Sequence, residues 1–428
     1  MSGPRPIKDL LGWFIHRLTA NYWSLALGAV LLAPIVFATS LYLDRNGAAQ
    51  WLLERGLAPV SNADTARDTA AVIAAIDAAF LTLYFSISLI VLTIAAGNLG
   101  VRLIDRWLGK GLVRVSIAGL CFTLIHAVLT MSAIDPEAQL SDTPLLTFAF
   151  SILLLAVNTV MLAVATHDLG RSMFIDRAIA ALARDGRKHL VQVDAVSAFP
   201  DDLANAVAAP RSGYVEGIEL DRIADALREC GPARLAVAPG QHVLKGEPLI
   251  LSQRKFPDEK DVTRAIPIGS FRSDSQGAVF QIRLLVEIAA RALSPAVNDF
   301  YTALAAVDAV VEIASGHCSN WVDEGQVPVS SKHGQIALPG QDFRGMFDAP
   351  LAALRQAAAP YPSVSIRLLD NLGRFIRNYC TESAGLAAYV RAYGEQVHRQ
   401  ARAQCEIDYD REALDRALAD LTHRSGKA

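Results

Sequence analysis

Four charge-poor apolar stretches crowd the first 166 residues, at 22–43, 78–100, 115–134 and 145–166, and almost nothing in the following 262 residues is comparably apolar. Each is about 20 residues long, the length at which a helix rising about 1.5 Å per residue crosses roughly 30 Å of hydrocarbon. The pattern predicts a membrane all-α region of four transmembrane helices followed by an α+β cytosolic region. A hydrophobic fraction of 52% is high for a soluble enzyme, while 19% charged residues is too high for a chain lying wholly in lipid. Two chemically different halves average to those figures. The expected divisions are 1–170 for an interfacial helix and the four spans, 171–260 for a linker helix and a small α+β domain, and 261–428 for a mainly helical domain.

Orientation follows from Lys and Arg in short loops, because positive flanks stay cytoplasmic. Arg5, Lys8 and Arg17 precede the first span. Arg102, Arg106, Lys110 and Arg114 fill the second loop, and Arg171, Arg177, Arg184, Arg187 and Lys188 follow the fourth span. The connector around Asp135, Glu137 and Asp142 has no Lys or Arg, and the first loop balances Arg45, Arg55 and Arg67 against Asp44, Glu54, Asp64 and Asp68. These facts close as four spans with both termini cytoplasmic and the large second half cytosolic. The first run is longer than the apolar part of a signal peptide, carries Pro34 mid-span, and is expected to remain as a helix. Ahead of it, Leu10, Leu11, Phe14, Ile15 and Leu18 recur at helical spacing beside Trp13 and Trp23, as in a helix lying at the headgroups. Trp51 and Trp107 flank other spans in the same way.

Polar residues within the spans are patterned. Thr82, Ser86, Thr93, Gly97 and Gly100 fall within about 60° of one another on a wheel of about 100° per residue. Ser116, Thr123 and Thr130 repeat the device in the third span, and Thr147, Ser151 and Asn158 in the fourth. Such stripes either pack helices closely or line a hydrated path. His126 lies mid-way along span three, and Asp77 is read near the outer end of span two. An ionisable group in hydrocarbon costs a few kcal/mol and marks a proton or ion pathway unless it is a neutral, hydrogen-bonded packing residue. The candidate pore or polar-stripe residues are Thr82, Ser86, Thr93, Ser116, Thr123, His126, Ser151 and Asn158. A single four-helix bundle does not readily enclose an aqueous pore, so a path of that kind implies a homo-oligomer.

In the second half, 171–185 reads as an amphipathic helix continuing from span four, with Gly186 as its stop. HLVQVDAV reads as a strand, and 211–253 as strand, helix, strand, turn, strand, with turns at Pro239-Gly240 and Lys245-Gly246 and a hairpin-like end. The PGQHVLKGEPL pattern resembles turns of small barrel modules such as lipoyl carriers. Lys245 lacks the sequence context of a modified lysine, so a carrier role is rejected.

One family resemblance is specific. ADTARDTAAVIAAIDAAFLTLYFSISLIVLTIAAGNLGVRLIDRW, GYVEGIELDRIADAL, PGQHVLKGEPL and, above all, LVEIAARALSPAVNDFYTALAAVD resemble the bacterial predicted-membrane-protein family known as domain of unknown function 2254, over roughly residues 20–375. The resemblance implies four spans and brings no established activity. The family pattern around the last motif is closer to ALSPGINDPFTA, whereas this chain carries Ala296 where Gly is usual and Phe300-Tyr301 where Pro-Phe is usual.

That motif reads as a helix over 276–293, a break at Ser294-Pro295, and a second helix over 299–314 capped by Asn298 or Asp299. Arg283, Glu287 and Arg291 are spaced for an ion-pair ladder. Capping and surface pairing account for these residues. A sharper alternative is a pocket in which Glu287, Arg291, Ser294, Asn298 and Asp299 meet a small ligand or protein partner. Residues 320–342 read as a loop, 343–357 and 364–379 as helices, and 382–423 as a long exposed or partner-binding helix.

Several classes are disfavoured. There is no P-loop, HExxH, GxSxG or dinucleotide fingerprint, and the scattered histidines of the second half show no metal-site spacing. The five cysteines, Cys121, Cys230, Cys318, Cys380 and Cys405, form no CxxC pair. No cofactor, metal or nucleic-acid partner is expected, since a net charge of -3 creates no basic field. The bilayer is the expected partner. Two function classes remain: an oligomeric channel or transport protein with a cytosolic assembly or gating domain, and a membrane-anchored scaffold or ligand sensor.

Overall fold

The computed structural model describes residues 24–99, 111–172, 174–188, 191–228, 230–270 and 277–423. The leader helix with Trp13 and Trp23, the basic residues Arg5, Lys8, Arg17, Arg102, Arg106 and Lys110, and Trp107, Gly100 and His189 lie outside the described residues. The chain forms two compact units, Met1–Phe174 and Ile175–Ala428.

The described residues of the first unit form four long helical segments. Helix α1 (Ser24–Leu43) runs through a π turn at Asp44–Ala48 into α2 (Ala49–Glu54), and Gly47 takes φ +101° at that turn, a left-handed angle costly to a residue with a Cβ. It is followed by α3 (Ala63–Leu99), α4 (Gly111–Ala133) and α5 (Leu145–Ser172). Among the described residues, four stretches are long and apolar enough to cross a membrane: Ser24–Glu54, Ala63–Ile94, Gly111–Ala133 and Leu145–Arg171. Helix α4 is central and packs against α1, α3 and α5.

Helix α3 begins 15 residues before the apolar run expected at 78–100. The Asn62 side chain accepts a hydrogen bond from the Thr65 N–H at 2.7 Å and so caps the first turn. Beyond it, Ala63, Ala66, Ala70, Ile73 and Ala74 form one face packed with Ala127, Ile134 and Phe148. A face of alanines scores weakly as hydrophobic, yet it lets helices approach closely.

The second unit opens with α6 (Ile175–Lys188). This helix runs past Gly186, because that glycine is a packing residue: a Cβ there would lie 2.6 Å from Ile313 Cδ1. Nor does α6 continue span four, since α5 ends at Ser172. Among the described residues, nine short strands follow in two sheets. One has the order β1 (Val193–Val196), β8 (Val327–Ser330), β9 (Ile336–Ala337), β4 (Ala233–Leu235), β6 (Pro248–Ser252), β2 (Asn205–Ala208). The other has the order β5 (His242–Val243), β3 (Gly213–Val215), β7 (Ile268–Gly269). All pairings are antiparallel except β4 with β9. Val215, Val243 and Ile268 of the small sheet share one core with Val207, Leu235 and Ile250 of the large one.

Two readings are corrected here. The turns at Gly240 (φ +78°) and Gly246 (φ +91°) are present, yet β5 and β6 do not form a hairpin. They diverge into different sheets. Residues 320–342, expected as a loop, supply β8 and β9, so segments expected as separate at 171–260 and 261–428 meet in one sheet.

Helices α7 (Leu220–Ala226) and α8 (Glu259–Ala265) flank the strands. Helices α9 (Ala278–Ala292) and α10 (Phe300–Ser315) pack together and on α6. Burying Leu284, Leu285 and Ile288 of α9 contributes about 1.5–3 kcal/mol each. Helices α11 (Phe343–Ala358), α12 (Pro362–Tyr379), α13 (Ala384–Gln404) and α14 (Asp408–His423) complete the unit. The tail expected as one long exposed helix is thus two helices, each packed on α12.

Candidate functional site

A column of buried polar side chains runs between the helices of the first unit. At the end formed by residues 55–62 and 134–144, Asp44 accepts hydrogen bonds from the backbone N–H groups of Leu146 (2.8 Å) and Thr147 (2.9 Å) and from the Thr147 hydroxyl (2.7 Å). Pro144, just before α5, has no side-chain acceptor for that helix's free N–H groups, and Asp44 supplies one from the π turn that follows α1. Asp44 was read as a loop charge. The missing cap ahead of span four was the available signal.

One to two turns further along, His126 Nδ1 and the Ser151 hydroxyl share a hydrogen bond of 3.0 Å, and the Thr130 and Ser151 hydroxyls lie 3.3 Å apart. Phe37, Phe122 and Phe150 surround the imidazole with ring centroids 6.1, 6.1 and 5.3 Å away. His126 is fully buried, and its Nε2 has no hydrogen-bond partner.

Asp77 comes next, at mid-bundle rather than near the outer end of span two. It sits 14 residues into α3, about 21 Å from that helix's start at about 1.5 Å per residue. The Asn158 amide donates to Asp77 Oδ1 at 3.4 Å, to the Gly119 carbonyl at 3.3 Å and to the Thr123 hydroxyl at 2.9 Å, tying α3, α4 and α5 together. Asp77 is fully buried, its Oδ2 has no partner, and among the described residues no Lys or Arg pairs with it. Tyr84 and Ser88 continue the inner face of α3 toward the other end, 2% and 6% exposed. Neither was singled out in the sequence. Their positions seven and eleven residues after Asp77, on the same helix face, carried the signal.

The predicted stripes therefore separate. Thr123, His126, Ser151 and Asn158 join the column, and Ser116 is buried with its hydroxyl on the Leu112 carbonyl at 2.8 Å. Thr82, Ser86 and Thr93 face outward instead, each hydroxyl donating to the carbonyl four residues earlier at 2.8–2.9 Å.

At the α9–α10 break, the candidate residues are engaged close to their own positions. Asp299 caps α10, accepting from the Thr302 N–H at 3.1 Å and the Thr302 hydroxyl at 2.6 Å. The Ser294 hydroxyl donates to the Arg291 carbonyl at 2.7 Å, Glu287 and Arg291 pair at 3.8 Å, and Arg283 reaches the Gly240 carbonyl at 3.1 Å. Asn298 is exposed with φ +48°, the one left-handed non-glycine among the described residues. Ala296 needs no such angle. Phe300 occupies the first helical position, where proline is also at home, so both departures from the family pattern fit this turn.

The second unit also holds an open cleft of about 710 Å³ lined by Ile218, Asp221, Arg222, Ser330, Lys332 and His333 among others. Lys332 Nζ reaches the Asp221 carboxylate at 2.7 and 2.9 Å and His333 Nε2 lies 2.6 Å from it. Hydrogen bonds from Lys332 and His333 hold the Asp221 carboxyl below its ordinary range. Elsewhere Arg367 clasps Asp308 with bonds of 2.9 and 2.7 Å, and Asn371 adds one at 2.6 Å. Burial pushes the Asp308 carboxyl up, but the Arg367 and Asn371 bonds together outweigh it and hold the group below its usual range. His317 is fully buried, which lowers its basicity, and its Nδ1 bonds the Ile313 carbonyl at 2.8 Å. Among the described residues no three His, Cys, Asp or Glu side chains gather as a metal site.

Comparison with known proteins adds relatives of the same kind. The chain is similar to "Uncharacterized protein Rv1290c" of Mycobacterium tuberculosis (strain ATCC 25618 / H37Rv) and to "Uncharacterized protein Mb1321c" of Mycobacterium bovis. Each is 26% identical over 385 residues, covering 84% of this chain and 73% of the relative. No solved structure matches it. The family model described as "Predicted membrane protein (DUF2254)" matches residues 19–374, including all four candidate spans and the α9–α10 motif, and the chain belongs to that family.

Proposed function

We propose that this protein transports a small cation across the bacterial inner membrane, with Asp77, Asn158 and Thr123 as its ion-handling centre. One observation carries the reading: a fully buried carboxyl group at mid-bundle, with one oxygen unpartnered and no basic side chain paired with it among the described residues. A charge at that depth costs at least about 2.5–3.5 kcal/mol, so the group is expected to be neutralised by a bound proton or cation. Either form makes Asp77 a site that exchanges an ion. The Lys and Arg distribution supports insertion with both termini cytoplasmic. In the same reading, protomers associate through the outward face of α3 that carries Thr82, Ser86 and Thr93.

Purified protein in liposomes, assayed for proton, sodium and potassium flux, tests this. Wild-type vesicles pass an ion above the empty-vesicle rate, and Asp77→Asn lowers that flux at least tenfold while eluting as a folded species. Absence of flux for all three ions would sink the proposal. A second reading, a membrane-anchored ligand sensor, is supported by the cleft at Asp221, Lys332 and His333. It requires saturable binding there without flux.

A further inference from the structure

We infer that the ion carried is the proton and that its path lies inside a single protomer, from Asp44 through Ser151 and His126 to Asp77 and on past Tyr84 and Ser88. This rests on the transport reading above and adds the substrate and the route.

The stations are chemically of one kind. Carboxyl, hydroxyl, imidazole and phenol groups all exchange protons, and they occupy successive levels of the bundle from one end to beyond its middle. Neighbouring stations lie about one to two turns apart, roughly 5–10 Å along the bundle, gaps that a rotamer change and one or two bridging waters span. Two independent features aim at a proton rather than a hydrated metal ion.

First, the two titratable groups each keep one buried atom without a partner, Asp77 Oδ2 and His126 Nε2. These are the atoms on which a proton is received.

Second, the surroundings of Asp77 do not form a cation cage. Asn158 turns its amide N–H₂ group, a donor, toward Asp77, Gly119 and Thr123, whereas a hard metal cation needs a shell of oxygen acceptors. There is little free volume beside it: a Cβ added at Gly119 would lie 2.9 Å from Asn158 Oδ1 and 3.2 Å from Met161 Cε.

The transfer balances without a co-reactant. For a proton arriving from the Asp77 side, His126 takes it at Nε2 and releases the one on Nδ1 to the Ser151 oxygen, whose own proton moves on, and transfer of the remaining N–H proton from Nε2 back to Nδ1 through a bridging water restores the starting tautomer. The Asp77 carboxylate gains an O–H bond from one side and loses it to the other. One proton crosses, every group is regenerated, and no electrons move.

The test uses full-length protein in liposomes carrying an internal pH dye under a potassium-valinomycin clamp, with sodium and potassium flux measured in parallel. The expected result is proton flux alone, reduced at least tenfold in Asp77→Asn and His126→Phe and within twofold of wild type in Ser86→Ala. Because a variant can misfold, wild-type protein is also treated with a hydrophobic carbodiimide, which adds to protonated carboxyl groups in lipid. Block of proton flux with the adduct located on Asp77 supports the path, and block without an adduct there overturns it. Sodium or potassium flux without proton flux overturns this inference and leaves the transport reading standing. Proton flux that survives Asp77→Asn and is lost in Ser86→Ala moves the path between protomers and also overturns it. No flux of any of the three ions removes both.

Discussion

At the residue scale, Asp44 illustrates how one side chain closes a helix it does not belong to. Its carboxylate takes two backbone N–H groups and a hydroxyl at the start of α5, with charge-assisted bonds of 2.7–2.9 Å. Removing a cap of this kind costs about 0.5–2 kcal/mol, and leaving buried donors unpaired adds to that. Asp44→Ala is therefore expected to lower stability by about 2 kcal/mol, and Asp44→Asn, which keeps an acceptor oxygen, by less. Thermal unfolding in detergent measures both, and equal losses in the two variants would contradict the capping role. Asp77 and His126 belong to the same scale with the opposite character, because their unpartnered atoms contribute nothing to stability. The flux losses expected on replacing them are functional effects, and Asp77→Asn is expected to leave the unfolding temperature unchanged or raised. That comparison separates an ion carrier from a packing residue.

At the element scale, α10 and the turn that follows it hold two groups, Asp308 and His317, whose titration bears on the acid stability of the second unit. Burial lowers the basicity of His317, so below its ordinary value of about 6.5 the unfolded chain binds the proton more readily and stability falls with pH. Asp308 is held below the ordinary carboxylate range, so its contribution is complete above about pH 4 and is lost as pH falls through its folded value. Unfolding of the full chain is expected to show a decline starting near pH 6.5 and a steeper one below about pH 4. His317→Gln should flatten the first, and an unchanged slope between pH 6.5 and 5 would refute the assignment. Much of this architecture was readable beforehand. The four spans followed from apolar length, and the α9–α10 break followed from one Ser-Pro and one Asn-Asp step, which left the cap open between Asn298 and the Asp299 that serves. What escaped had physical reasons. The early start of α3 lies on an alanine face that hydropathy underweights. Strands β8 and β9, four and two residues long, are too short to display a period of two. The depth of Asp77 depended on where α3 begins. The inward turn of the third- and fourth-span stripes and the outward turn of the second required the bundle itself, since a wheel gives a face and not its direction.

At the scale of the whole molecule, the orientation proposed above places both termini in the cytoplasm, on the side that the positive flanks favour. A green fluorescent protein fused after Ala428 is expected to fluoresce in bacterial cells, and alkaline phosphatase fused at the same place to be inactive. Phosphatase fused after Ala138 is expected to be active. The reverse pattern would overturn the orientation. The connectivity of the large sheet bears on how the second unit is made. Strand β4 finds its parallel neighbour β9 through Ala233 and Ile336, which are 103 residues apart. At about 5–20 residues per second, a ribosome needs roughly 5–20 s to deliver the second strand after the first. During that interval one side of β4 stays open, with backbone groups able to template a strand from another chain. A nascent chain stalled between residues 240 and 330 is thus exposed to aggregation and to chaperone capture, and sensitivity to premature termination should be sharpest in that window.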